Sequence, residues 1–168
     1  LRAGDPSDRA PLSFFIGLNQ YATEPGAPLL PPGRWLADRW SARNPQLPSL
    51  DALLAQGRMV LLLDALNEIP SAGERDLHAR VQVWKVWLQR LAAEHPGNRV
   101  VFSCRSLDYS QPLSTPELRV PQVRVEALTD EQVRSFLAQN CPARWREVWQ
   151  TLEGSPQLEV LRSPYFLS

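Results

Sequence analysis

The segment Leu61-Leu62-Leu63-Asp64-Ala65-Leu66-Asn67-Glu68 sets two carboxylates four residues apart at the end of an apolar run. A buried strand that delivers a carboxylate at its C-terminal end puts it where open α/β sheets bind their ligands. Asp64 in that position can hold Mg²⁺, directly or through water, beside a phosphate. A small residue next to it, Ala65, keeps space open for a nucleotide. Glu68 can orient or deprotonate an attacking water. An apolar strand ending in Asp is common, and alone it means no more than a capped turn. The informative feature is the combination of five apolar residues from Met59, then Asp, a small residue, and a polar pair closing on an acid.

These side chains need strands and helices to hold them. Met59-Val60-Leu61-Leu62-Leu63 is a continuous apolar run, which predicts a strand covered on both faces, as in a parallel sheet. Leu12–Leu18 and Arg99–Ser103 read as two more strands, and Gln122-Val123-Arg124-Val125 as a shorter one. Trp35, Leu36 and Trp40 predict a helix over about 33–43, and Ser49 caps a short one through about residue 56. Leu77, Val81, Trp84, Leu88 and Leu91 form one stripe, predicting a long helix over about 76–94. After residue 128 the strands stop. Thr129-Asp130-Glu131-Gln132 is a capping box, and helices follow around Val133–Leu137, Trp145–Leu152 and 156–162. Strands alternating with helices, then helices alone, predict an α/β layered sheet over 1–128 followed by a small helical subdomain over 129–168.

Composition narrows the partners. The 168 residues are 43% hydrophobic, enough for a core, and 18 basic residues balance 18 acidic ones. A formal charge of zero offers nothing to nucleic acid or to an anionic membrane. No apolar run approaches the ~20 residues needed to span a bilayer, and no signal peptide is visible. Cys104 and Cys141 have no metal-ligand spacing and read as reduced, buried thiols of a cytoplasmic protein. Lys85 is the single lysine among many arginines, a skew that, with 16 prolines, suits a GC-rich bacterial source.

Residues 59–68 resemble the Walker B motif of NACHT domains, a branch of the STAND class of P-loop ATPases. In that family four apolar residues precede Asp, a small residue follows, and an acidic pair closes the motif. The resemblance assigns Asp64 to magnesium, Ala65 to the small position beside the nucleotide, and Glu68 to the second acid. Asn67 departs from the usual Asp, which leaves it as a nucleotide contact, so any role as a base falls to Glu68. Asn98-Arg99-Val100-Val101-Phe102-Ser103-Cys104-Arg105 resembles the family's sensor strand, which more usually ends in Thr-Ser-Arg. It places Arg105 near the γ-phosphate, where a guanidinium stabilises negative charge; the alternative role is a pairing with a surface carboxylate. Leu161-Arg162-Ser163-Pro164-Tyr165-Phe166-Leu167 resembles the short motif whose proline packs on adenine, which makes Pro164 a nucleotide contact; on residues alone it equally starts a helix.

The resemblance covers nearly the whole chain in order and implies a three-layer parallel sheet of the P-loop NTPase type. The phosphate-cradling Gly-x-x-x-x-Gly-Lys-Ser/Thr is absent, and Lys85 lies within an amphipathic helix. The expectation is therefore an excerpt, with the loop, the strand before it and the helix after it upstream of Leu1, and a winged-helix region beyond Ser168. The function implied is an ATP–Mg²⁺ switch that hydrolyses slowly and gates self-assembly with other protein domains, in signalling or defence. The alternative is a non-catalytic α/β scaffold that binds partners, for which the six tryptophans would serve as anchors.

Overall fold

The computed structural model describes residues 10–21, 29–105, 108 and 112–163. Three parallel strands lie in the order β1 (Leu12–Gly17), β2 (Met59–Asp64), β3 (Arg99–Phe102). Between them run α1 (Pro32–Arg43), α2 (Leu50–Ala55) and α3 (Glu74–Glu94). Short 3₁₀ turns follow β1, at Leu18–Gln20, and β2, at Leu66–Glu68. The chain divides into two compact units, Leu1–Pro121 and Gln122–Ser168. Among the described residues no helix is long and apolar enough to cross a membrane.

In the first unit the register aligns Leu12, Phe14 and Ile16 with Met59, Leu61 and Leu63, and Leu61 and Leu63 with Val100 and Phe102. These rows share one sheet face. That face is packed: Phe14, Ile16, Met59, Leu61 and Leu63 are buried in one core with Trp35, Leu36 and Trp40 of α1 and Val81, Trp84, Leu88 and Leu91 of α3. Trp84 is completely buried. Its ring meets Tyr21, Trp35, Trp87 and Phe102 edge-on, with centroids 5.1–6.1 Å apart, the arrangement that aromatic quadrupoles favour. Burial pushes the Tyr21 hydroxyl up to about 12, so it stays a neutral donor to the Leu30 carbonyl.

The opposite face corrects an expectation. The run Met59–Leu63 predicts a strand covered on both sides, yet burial alternates along β2. The row Phe15, Leu62, Val101 crosses the other face in register, with Phe15 60% and Val101 54% exposed. The alternation arises because α1 and α3 both lie against the first face. A second correction concerns 122–125. The segment is not a strand, and Val123 is 93% and Val125 78% exposed. β-branched residues supply a preference for extended backbone, but a strand forms only where a ladder partner lies alongside. The described sheet ends at β3.

Asn98 sets the level of the strands at the N-terminal end of the sheet. Its side-chain oxygen accepts the Met59 N–H at 2.9 Å, and its Nδ2 donates to the Leu54 and His95 carbonyls at 2.8 Å each. Beside it the turns entering β2 and β3 touch: a Cβ on Gly57, which has φ +64°, would lie 2.8 Å from the Pro96 carbonyl oxygen. Fixing the strands at this end brings Asp64 and Ser103 level at the other.

The second unit is helical: α4 (Asp130–Asn140), α5 (Trp145–Leu152) and α6 (Pro156–Leu161). The capping box forms as the sequence predicts: Thr129 Oγ1 accepts the Gln132 N–H at 3.3 Å, and the Gln132 side chain accepts the Thr129 N–H at 2.8 Å. Val133, Leu137, Trp149 and Leu158 form the core of this unit. Arg162 ties the unit's ends together by donating to Asp130 at 2.7 Å, while its own carbonyl accepts the Leu128 N–H, also at 2.7 Å.

Candidate functional site

The C-terminal ends of β2 and β3 bring Asp64, Asn67, Glu68, Ser103 and Arg105 together. The ladder continues past β3, because Ser103 N–H donates to the Leu63 carbonyl at 3.0 Å and the Ser103 carbonyl accepts Leu66 N–H at 2.8 Å. The Ser103 hydroxyl donates to Asp64 Oδ1 at 2.5 Å and accepts the Ala65 N–H at 2.8 Å. One serine thus holds the carboxylate and the turn that follows it. Gly17 is the partner of Asp64 on β1, so no side chain crowds the carboxylate from that neighbour.

Ala65 adopts φ 60°, ψ 61° and is the one non-glycine residue with positive φ among those described. The left-handed turn aims the N–H groups of Ala65 and Leu66 back at Ser103. An L-residue pays about 1–2 kcal/mol for this conformation. We expect Ala65→Val to lower unfolding free energy by about 1–3 kcal/mol, because a branched Cβ aggravates the clash. Ala65→Gly should be neutral or slightly stabilising, relief of strain opposing the greater freedom of an unfolded glycine. Urea denaturation of the two variants checks this; equal losses for both would mean that the turn carries no conformational demand.

Glu68 is exposed and accepts from Arg105 Nη2 at 3.0 Å. The two side chains are 39% and 73% exposed, so the pair contributes about 0–1 kcal/mol and opens easily. By sequence Arg105 is either a phosphate ligand or the partner of a surface carboxylate, and here it holds the carboxylate. Asn67 bridges the two strand ends: its side-chain oxygen accepts Arg105 N–H at 3.2 Å, and its Nδ2 donates to Asp108 at 3.0 Å. Beyond Glu68 the chain is pinned before α3 by Asp76, which accepts the Ala72 N–H and the Arg80 guanidinium. Those donors hold the Asp76 carboxyl below the usual carboxylate range.

Cys104 lies between Ser103 and Arg105 and is half-buried, as is Cys141; both are free thiols. Burial, aided by the Asp108 carboxylate, pushes the Cys104 thiol up, which keeps it protonated and poorly nucleophilic. Lys85 donates to the Pro112 carbonyl at 3.0 Å, away from these residues. Pro164 lies outside the described residues. Sequence reasoning misses Ser103 and Asp108. A hydroxyl ending an apolar strand is the available signal for Ser103; for Asp108 there is none.

No group of three or more His, Cys, Asp or Glu among the described residues is placed to hold a metal ion. Asp64 with the Ser103 hydroxyl is a poor cage for a free cation. It fits magnesium carried in on phosphates, since Mg²⁺ keeps several waters and takes one or two protein carboxylates plus phosphate oxygens. Compared with protein-family models, with curated proteins and with solved structures, the chain finds no match.

Proposed function

We propose that this chain supplies the magnesium and γ-phosphate side of an ATP-dependent switch of the NACHT type. The observation that carries the reading is the convergence of Asp64, Glu68 and Arg105 at the C-terminal ends of two adjacent parallel strands. Asp64 would receive a metal, Glu68 would address water, and the Arg105 guanidinium is held on a weak, exposed partner that a phosphate could outcompete. The strand order β1-β2-β3, all parallel, agrees with the P-loop NTPase sheet to which the motifs are similar. In that arrangement the open row Phe15, Leu62, Val101 would be covered by the helix after the phosphate loop. Bound magnesium would neutralise phosphate charge. Asp64 would hold it, Ser103 would orient Asp64, Ala65 would leave room for the nucleotide, and Glu68 would position the attacking water. Hydrolysis by a single exposed acid suits a slow switch that gates self-assembly.

The scaffold reading keeps fewer anchors: Trp35, Trp40, Trp84 and Trp149 are buried and fill the cores of their own units, while Trp87 and Trp145 are half-buried.

Arg105 provides the test. In a protein that joins this chain to a phosphate loop, Arg105→Ala should weaken ATP about tenfold or more while leaving ADP nearly unchanged. A charge-assisted hydrogen bond of about 1.5–3 kcal/mol is lost to the γ-phosphate alone. Calorimetric titration with both nucleotides reads it. Equal losses for the two, or none, would return Arg105 to a structural pairing with Glu68.

A further inference from the structure

The residue that departs from the acidic pair explains itself through its contacts. Asn67 faces two groups of opposite kind. The Arg105 backbone N–H can only donate, and it meets the Asn67 side-chain oxygen at 3.2 Å. The Asp108 carboxylate can only accept, and it meets Nδ2 at 3.0 Å. A carboxamide satisfies both at once, with its orientation dictated by the partners. An aspartate at 67 would still accept from Arg105, but its second oxygen would face the Asp108 carboxylate at hydrogen-bond distance, two like charges with no donor between them. The Asp108 N–H in turn donates to the Arg105 carbonyl at 3.1 Å, so Asn67 and Asp108 hold the backbone of Arg105 through its N–H and its carbonyl.

We infer that Asn67 is a positioning residue, its amide matched to Asp108, that fixes the backbone of Arg105 and so where the guanidinium stands relative to Asp64 and Glu68. This deepens the proposed function: the consequence for nucleotide preference rests on that reading, and the tie itself does not. Two atoms on the β2 exit clamp the β3 exit. The acid missing from the closing pair is thereby exchanged for a fixed arginine.

A reciprocal exchange in the natural protein that carries this chain tests the tie. Asn67→Asp should lower the thermal midpoint by about 1–4 °C, the shift expected when a solvent-exposed bond is lost and a screened repulsion added in a domain of this size. Asp108→Asn should change it little, because Asn67 can donate to an amide oxygen. The double variant N67D/D108N should regain most of the loss. In it the amide at position 108 can donate to the carboxylate at position 67, which still accepts the Arg105 N–H. The preference for ATP over ADP should fall in N67D and return in the double variant. An unaltered midpoint in N67D, or a double variant no better than N67D, overturns the tie. If the midpoints follow the cycle while nucleotide preference never moves, the tie is upheld and the nucleotide reading is what falls.

Discussion

Asp64→Ala in a protein that joins this chain to a phosphate loop should abolish magnesium-dependent ATP hydrolysis, and Glu68→Gln should slow it about 10²–10⁴-fold while leaving ATP bound. The two acids differ because their surroundings differ. Asp64 receives the Ser103 hydroxyl at 2.5 Å and ends a strand packed in the core, so its position is set by the sheet. No other carboxylate joins it in a cluster that could hold the cation among the described residues. Its removal would therefore take away the carboxylate that this chain offers to magnesium. Glu68 follows a left-handed turn and is exposed, and among the described residues its side chain holds Arg105. Glutamine keeps a side-chain oxygen for Arg105 but cannot take a proton, so binding and turnover separate. The expected pattern is no hydrolysis in the first variant, and ATP retained with little turnover in the second. Single-turnover hydrolysis together with equilibrium binding reads both; normal turnover in both variants would remove the site from these residues.

The second large effect concerns association. The 168-residue chain expressed by itself should self-associate at micromolar concentration and bind ATP more weakly than roughly millimolar, a free energy less favourable than about −4 kcal/mol. The open sheet face carries Phe15 and Val101 in one register row, and no strand pairs with the far edge of β3 among the described residues. An apolar strand edge recruits other chains. On the β1 side Arg43 donates to the Phe15 carbonyl at 3.0 Å, which blunts that edge, so association should run through β3. Val101→Lys should then shift the chain toward monomer, because a pairing strand would have to desolvate the lysine. Weak ATP binding follows from the lack of a backbone N–H cradle and lysine for the phosphates. Light scattering and calorimetry on the chain and on V101K check both parts. A cooperatively melting monomer that binds ATP at micromolar concentration would mean that the sheet and the nucleotide site have been misread.

The elements whose signals are local are legible in the order of residues alone. The stripe Leu77 to Leu91 predicts a helix, and α3 spans Glu74–Glu94. Ser49 and Thr129 cap as their spacing requires, because a cap joins residues two or three apart. The run Met59–Leu63 predicts a strand, and the acid at its end is where the chain leaves the sheet. Only the tertiary structure could decide which neighbours these elements meet. Val123 and Val125 have the composition of a strand but join no ladder among the described residues. Leu62 has the same chemistry as Leu61 and Leu63, yet it lies on the opposite face, and which face is covered depends on where α1 and α3 pack. Asn67 reads as a lost acid in the linear chain, because its two partners, Arg105 and Asp108, lie 38 and 41 residues further along. A sequence by itself determines what a short stretch of backbone prefers; the register of β2 against β3 decides which distant donors and acceptors stand within hydrogen-bond reach, and those bonds assign the roles.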